Sequence, residues 1–132
     1  MIFSAETEGL LVEVEPTYLE RHSKPQAHEF VWAYKISVTN KGTRTVKLLN
    51  RHWEITDGAG RMETVDGPGV VGRQPELTPG DQFEYQSFCP LKTPSGFMVG
   101  RFEMVDRSSG QLFWITVPAF SLDSPHAGSA VN

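Results

Sequence analysis

A chain of 132 residues that is 39% apolar and 21% charged has the size and composition of one folded domain. Its formal charge of −4 and its 12 scattered Lys and Arg residues offer no basic surface that would neutralise phosphates, so nucleic acid is not expected as a partner. No apolar run approaches the roughly 20 residues of a membrane-spanning helix. The first residues also lack the basic and apolar regions of a secretory signal.

Cysteine usage indicates the compartment. The chain contains one cysteine, Cys89, and a single thiol cannot form an internal disulfide. Packing alone must then stabilise the fold, as is usual for proteins of the reducing cytoplasm. We therefore predict a cytoplasmic protein that does not contact a membrane.

Alternating apolar and polar residues predict the first strands. Residues 10–14 alternate before Pro16 interrupts them, and residues 28–40 continue the same period over a longer half-buried strand. The polar segment 18–27 between them predicts a loop. Three aromatic residues of the longer strand are expected to lie in the core: Phe30, Trp32 and Tyr34.

The segment 46–57 changes phase part-way along its length. Its apolar positions are even-numbered as far as Leu48 and odd-numbered from Trp53 onwards. A slip of one residue turns every following side chain to the other face of a sheet. We therefore predict a β-bulge near Leu49 or Asn50, or a strand that is buried on both faces for part of its length.

The second half of the chain completes an all-β pattern. Glycines and prolines fill residues 66–80, which predicts a loop with at most a short strand, and alternation returns in three later segments: 82–87, 98–104 and 113–117. No window has the 3.6-residue period of a helix. We predict an antiparallel β-sandwich of about seven to eight strands with negligible helix. The domain should extend over residues 1–122, followed by a mobile tail from 123 to 132.

Several stretches resemble the ApaG family in their order and spacing. The match covers about residues 5–122, and the combination carries it, since no single motif is specific. The matching stretches are FVWAY at 30–34, LLNRHWEITD at 48–57, GPGVVGRQP at 67–75, PG at 79–80, FEY at 83–85, CPL at 89–91, TP at 93–94, Met98 and PAF at 118–120.

The resemblance implies a fold similar to immunoglobulin and fibronectin type III domains. The function of the family is poorly defined: its names reflect association with diadenosine tetraphosphate hydrolase and with tolerance of cobalt and magnesium in bacteria. Similar domains attached to eukaryotic F-box proteins and to a polymerase-delta-interacting protein look like protein-interaction modules. The family provides no catalytic residues and no cofactor to carry over, so no enzymatic activity is expected.

A glycine pattern is the one motif that suggests nucleotide chemistry. Gly67, Gly69 and Gly72 match G-x-G-x-x-G, which binds dinucleotides only between a strand and a helix whose N-terminus faces the pyrophosphate. Pro68 and Pro75 prevent a helix of any length from beginning here. A dinucleotide site is therefore not predicted.

Two interpretations of the glycine segment stay open. The glycines allow turns with positive φ, which requires no ligand. Alternatively, the backbone N–H groups of residues 67–73 form an anion-binding nest assisted by Arg73. Arg51 and His52 would also assist if their strand passes beside the loop. The candidate ligand of that nest is a pyrophosphate-type metabolite.

No other segment carries a recognisable chemical motif. His52 and Glu54 share one face of a strand, but two ligands are too few for a zinc or magnesium site, so no metal ligands are assigned. Cys89 has no second cysteine and no protease or redox signature beside it, which favours a small core residue over a nucleophile.

Trp114 is the candidate anchor for a partner. It lies between Phe113 and Ile115 and so points to the opposite face of a strand at the sheet edge, where an exposed tryptophan favours binding. We predict a non-enzymatic protein-interaction module, with homodimerisation through an uncovered edge as one form of pairing. The alternative is a sensor of an anionic metabolite or a divalent cation, centred on Gly67 to Arg73.

Overall fold

Strands account for most of residues 1–127, which are the part of the chain that the computed structural model describes. Two 3-10 turns, Glu20–His22 and Pro25–Ala27, lie in the predicted loop before the long third strand. Nine strands are found within this described part: β1 Phe3–Thr7, β2 Leu10–Tyr18, β3 Phe30–Asn40, β4 Val46–Asp57, β5 Met62–Pro68, β6 Glu76–Leu77, β7 Gln82–Leu91, β8 Gly96–Asp106 and β9 Leu112–Leu122.

The strands form two sheets in which every neighbouring pair is antiparallel. The first sheet has the order β1-β2-β3-β7, and the second has the order β5-β4-β8-β9 with β6 added beside β4. The predicted all-β sandwich is confirmed. The strand number exceeds the expected seven to eight because β1 precedes the first predicted strand and β6 is a two-residue strand within the glycine-rich segment.

The core lies between the inner faces of the two sheets. Phe30, Trp32 and Tyr34 of β3 are buried in it, as their alternation predicted. From the second sheet, Phe102 and Phe120 are fully buried against them. Burial of these aromatic side chains supplies much of the apolar area that drives the two sheets together.

The predicted bulge in β4 is present. Pairing of β4 with β8 shifts register between Leu48 and Asn50, which leaves Leu49 as the extra residue. Because of this shift, Leu48 before the bulge and Trp53 after it both point into the core. The carbonyl of Leu49, released from the ladder, accepts hydrogen bonds from the Gly69 amide at 2.7 Å and from Nε2 of Gln74 at 3.0 Å.

The two sides of the sandwich differ, because strands of the two sheets contact each other along one side, whereas the other side ends in two unpaired strand edges among the described residues. On one side β1 and β2 lie against β9, where the Thr116 amide donates to Oγ1 of Thr7 at 3.1 Å and the rings of Phe3 and Phe120 are 6.4 Å apart. On the other side lie β5 and β7. Within residues 1–127, β5 pairs only with β4 and β7 pairs only with β3, so both present an unpaired edge.

The segment after β9 contacts the body of the sandwich. Nε1 of Trp32 donates to the Asp123 carbonyl at 2.8 Å, and Oγ of Ser124 donates to the Pro94 carbonyl at 2.6 Å. The predicted mobile tail continues to residues 128–132, which lie outside the described residues, and its mobility stays a prediction. In the part of the chain that is described, no helix is long and apolar enough to cross a membrane.

A substitution of Gly100 tests the close approach of β8 to Trp53. A Cβ atom at Gly100 would lie 2.5 Å from Cε3 of the Trp53 ring. Gly100→Ala should lower the free energy of unfolding by about 1–3 kcal/mol because it overpacks the core. Gly42→Ala is the control, since its Cβ would meet no atom closer than 3.5 Å. Urea unfolding monitored by tryptophan fluorescence measures both; equal effects would contradict the packing described here.

Candidate functional site

The glycine-rich segment forms a tight turn between β5 and β6. Gly69 and Gly72 have φ angles of 60° and 79°, a region that glycine enters without strain. Val70 and Arg73 exchange two backbone hydrogen bonds of 2.8 and 3.0 Å, and a Cβ at Gly69 would collide with the Arg73 carbonyl. Two of the three motif glycines therefore serve the turn itself.

Most amides of this turn already have acceptors. The Gly69 amide donates to Leu49, and the amides of Val70 and Arg73 donate to each other's carbonyls. Among the described residues, the amides of Val71 and Gly72 have no acceptor, and the Arg73 side chain is exposed. An anion site in this turn stays a prediction, and the amides left for it are these two.

Arg51 lies beside the loop, as the alternative interpretation required. Its guanidinium lies flat over Gly67, where a Cβ would be 2.9 Å from Nη2, and Nη1 donates to the carbonyls of Pro68 at 2.9 Å and Gly69 at 3.0 Å. Nε and Nη2 have no acceptor among residues 1–127, and no carboxylate in that range forms an ion pair with Arg51. Arg51 is thus a half-buried cation without an anionic partner in the described chain.

The open side of the sandwich contains a cavity of about 360 Å³ between β5 and β7, which we call the inter-sheet cleft. Its floor is formed by core residues of both sheets, and its walls carry side chains of β4, β5, β7 and the glycine-rich turn. The residues that define it are Tyr34, Arg51, Trp53, Ile55, Glu63, Val65, Val70, Val71, Tyr85, Ser87, Phe88, Cys89, Pro90 and Met98.

Two phenols in the inter-sheet cleft are kept in their neutral form. Burial raises the pKa of Tyr34, although the Ser87 side chain partly opposes this by hydrogen bonding. Burial also raises the pKa of Tyr85, far above its ordinary value. The Tyr85 hydroxyl is buried and has no hydrogen-bond partner among the described residues. Both phenols are therefore O–H donors at neutral pH, and Tyr85 lacks an acceptor.

Cys89 also lines the inter-sheet cleft and is buried in the core. Burial raises the pKa of its thiol to about 11, and the negative charge of Glu63 acts in the same direction. A thiol with this pKa is protonated at neutral pH and is a poor nucleophile. Its 3% exposure agrees with the small core residue expected from the sequence.

The inter-sheet cleft adjoins a larger cavity of about 650 Å³, which we call the outer groove. Ile55, Glu63 and Pro90 line both spaces. The outer groove is lined by residues of β3, β4, β5, β7 and their connections: His28, Phe30, Asp57, Arg61, Met62, Leu91 and Lys92. Four large apolar side chains around the two spaces are at least one-third exposed: Met62, Val65, Val71 and Phe88.

Trp114 lies on the outer face of the second sheet, at a distance from the inter-sheet cleft. It is 39% exposed, and the guanidinium carbon of Arg101 lies 4.4 Å from the centre of its ring. Leu112 of the same strand and Phe97 and Val99 of β8 are also exposed. The structure therefore places the candidate anchor and the candidate anion residues on different surfaces.

His52 is held by two carboxylates on that outer face. Nδ1 lies 2.6 Å from Oδ1 of Asp66, and Nε2 lies 3.1 Å from Oε2 of Glu54. These hydrogen bonds, that of Asp66 first, raise the pKa of the imidazole. Within residues 1–127 no group of three or more His, Cys, Asp or Glu side chains is arranged to hold a metal ion.

Sequence reasoning identified Arg51 but missed its companions Tyr85 and Val65. The alternation around Phe83 predicted that the Tyr85 side chain points inwards. The sequence could not predict that Tyr85 lies beside Arg51, because β5 and β7 belong to different sheets and no periodicity along the chain shows which strands form the open edges.

Titration of His52 gives a stability test. A raised folded-state pKa means that protonated His52 stabilises the fold fully below its ordinary value of 6.5, and that this contribution is lost as pH rises through the raised pKa. The free energy of unfolding should therefore fall over that interval, and His52→Gln should remove this fall. Asp66→Asn should return the imidazole pKa towards 6.5 in an NMR titration. An unchanged slope in His52→Gln would contradict this assignment.

Val71 tests the strain at the rim of the inter-sheet cleft. Its φ of 43° is left-handed, which is unfavourable for a β-branched residue by about 1–2 kcal/mol. Val71→Asn should raise the free energy of unfolding by about 1 kcal/mol, because asparagine tolerates this conformation. Val99→Asn is the control at a position of β8 that pairs with Glu54 of β4, and it should lower the free energy of unfolding by up to about 1 kcal/mol. Chemical denaturation reports both, and a loss of stability in Val71→Asn would contradict the strain.

Comparison with known proteins identifies the family. A family model of the ApaG domain (DUF525) matches residues 20–106. Protein ApaG of Paramagnetospirillum magneticum is 54% identical over 99% of this chain and 100% of its own length, and Protein ApaG of Brucella anthropi is 50% identical over the same shares. A crystal structure of an ApaA protein from Bordetella pertussis has a TM-score of 0.85 at 43% identity, covering 89% of this chain and 94% of that one. The C-terminal domain of wzt has a TM-score of 0.56 at 9% identity, covering 92% of this chain and 77% of that one, a likeness that concerns only the fold. The chain belongs to the ApaG family.

Proposed function

We propose that this chain is a non-enzymatic protein-binding module that takes an extended segment of a partner protein along the free edge of β5, over the inter-sheet cleft. One observation carries the proposal: the edges of β5 and β7, which have no second partner strand within residues 1–127, border a cavity rimmed with exposed apolar side chains. The setting we propose is the cytoplasm, as the single thiol predicts.

Strand addition follows from the backbone of β5. An edge strand presents a row of N–H and C=O groups, and an added peptide strand satisfies them while its alternate side chains enter pockets. The inner positions of β5 are Val65 and Gly67, since they pair with Trp53 and Arg51 of β4. A peptide beside β5 would direct its inner side chains into the inter-sheet cleft opposite these two residues.

The apolar rim supports a macromolecular partner. Val71 and Phe88 of the inter-sheet cleft are 55% and 58% exposed, and Met62 of the adjoining outer groove is 59% exposed. Clustered exposure of this kind marks interaction surfaces in folded proteins. The rival surface around Trp114 is an exposed sheet face, and Arg101 already covers part of the indole. The inter-sheet cleft is therefore favoured over Trp114 as the partner site.

A small anionic ligand is the second candidate, and one observation favours it. The inter-sheet cleft, at about 360 Å³, lies within the range of small-molecule sites and contains the half-buried Arg51 cation. Pyrophosphate would be the probe, as in the prediction made for the glycine-rich turn. A divalent cation has no comparable support, because no cluster of three ligands occurs in residues 1–127.

Selection from a random peptide library tests the proposed function. Peptides captured on the wild-type protein should lose about tenfold or more in affinity on Val65→Arg, because the long side chain fills the inter-sheet cleft. Val99→Arg is a matched control, since Val65 and Val99 are both 36% exposed on strands of the same sheet. Fluorescence anisotropy measures the affinity, and circular dichroism checks that both variants fold.

The same experiment has outcomes that contradict the proposal. If Val99→Arg or Trp114→Ala weakens binding while Val65→Arg does not, the partner surface is the outer face of the second sheet. A library that returns no peptide above background, with pyrophosphate raising the melting temperature, supports the small-ligand candidate instead.

A further inference from the structure

We propose that Arg51 binds a carboxylate side chain of the partner segment, with the Tyr85 phenol as a second donor. This inference rests on the proposed function and specifies the chemistry of the residue that enters the inter-sheet cleft. Nε and Nη2 of Arg51 are two neighbouring N–H donors, an arrangement that matches the two oxygens of one carboxylate.

The surroundings of Arg51 differ from those of the other half-buried arginine. The chain has seven arginines, and only Arg44 and Arg51 are half-buried. Arg44 is 3.2 Å from a carboxylate oxygen of Asp106 and 3.2 Å from one of Glu8. Arg51 contacts backbone carbonyls alone among the described residues. Partial burial weakens the hydration of its charge, so a bound anion offsets that cost.

Tyr85 supplies the second observation. Its hydroxyl is buried, lacks a partner within residues 1–127 and lines the same inter-sheet cleft as Arg51. The two groups are close enough for the positive charge of Arg51 to act on the phenol. A buried donor without an acceptor is costly, and a carboxylate has lone pairs for both groups.

The charge of the site favours a carboxylate over a phosphate. Arg51 carries one positive charge, whereas a phosphate monoester carries about −1.5 to −2 at neutral pH. Glu63 adds negative charge to the same cleft but lies four residues along β5 from Gly67, about 13 Å away in an extended strand. A singly charged acid at the Gly67 end is therefore balanced by Arg51 and is distant from Glu63.

Register gives the position of the acid within the segment. Gly67 pairs with Arg51 and has no side chain, so the guanidinium fills the space above it and faces the edge of β5. A peptide residue opposite Gly67 with its side chain directed inwards meets Arg51. The inner residue two positions away lies opposite Val65, where the apolar wall favours an apolar side chain.

Peptide variants on the wild-type protein give the first test. Peptides selected from the random library should share a Glu or Asp at one position, and replacing it by Gln or Asn should weaken binding about tenfold. In Arg51→Met this difference between acid and amide peptides should disappear, even if the altered turn changes the overall affinity. Arg51→Lys should retain part of it. Peptides with no shared acid, or an acid preference that survives in Arg51→Met, would overturn the inference and leave the proposed function standing.

Two phenol variants give the second test. Tyr85→Phe removes a hydroxyl without a partner, so it should leave the fold intact while reducing affinity for the acid peptide by about tenfold. Tyr18→Phe is the matched control, because its hydroxyl is also buried without a partner in the described chain but lies outside the inter-sheet cleft. Equal effects of the two variants on the acid peptide would remove Tyr85 from the site.

A small-molecule probe tests the carboxylate site at Arg51 separately from the proposed protein-binding function. The N-acetyl, N-methylamide derivative of glutamate should shift the Arg51 Nε–H signal in an NMR titration of the wild-type protein, and the glutamine derivative should not. If no library peptide binds but the glutamate derivative shifts this signal, the carboxylate site stands and the protein-binding function fails. If neither derivative shifts it at concentrations of tens of millimolar, the carboxylate site is overturned whatever the library returns.

Discussion

The extra residue in β4 determines which side chains face the inside of the sandwich. With unbroken pairing to β8, Asn50 would lie opposite Phe102 and Arg51 would point to the solvent face. The register shift at Leu49 instead places Arg51 opposite Phe102 and Trp53 opposite Gly100. One inserted residue thereby puts a cation and the largest inner side chain of β4 on the same face, and the inter-sheet cleft exists because of it.

The bulge also fixes the turn that forms one wall of the cleft. Its free carbonyl accepts the Gly69 amide and the Gln74 side chain, while the Leu48 amide donates to the Pro75 carbonyl at 3.0 Å. Arg51 completes the attachment through the carbonyls of Pro68 and Gly69. The glycine-rich turn is thus hydrogen-bonded to β4, and the glycines that resemble a nucleotide-binding motif serve the geometry of this turn.

Local patterns predicted the parts of this arrangement that depend on neighbouring residues. The change of phase between Leu48 and Trp53 was enough to locate the bulge, because a bulge is a local event. β1 was missed because Phe3, Ala5 and Thr7 form a weak apolar series, although the Glu8-Gly9 turn that joins it to β2 has positive φ at both residues. The inter-sheet cleft was beyond prediction, since it depends on which strands of two different sheets remain unpaired.

Several unfavourable features coincide at this one cleft. Unpaired strand edges invite aggregation. Within residues 1–127, β1 covers the β9 side, whereas β5 and β7 each have one edge without a partner strand. At the same opening lie a half-buried guanidinium without an anion in the described chain, a buried phenol without an acceptor, and Val71 in a left-handed conformation. Their concentration at a single opening supports our proposal that a partner segment binds there, because one bound segment would satisfy the edge, the cation and the phenol together.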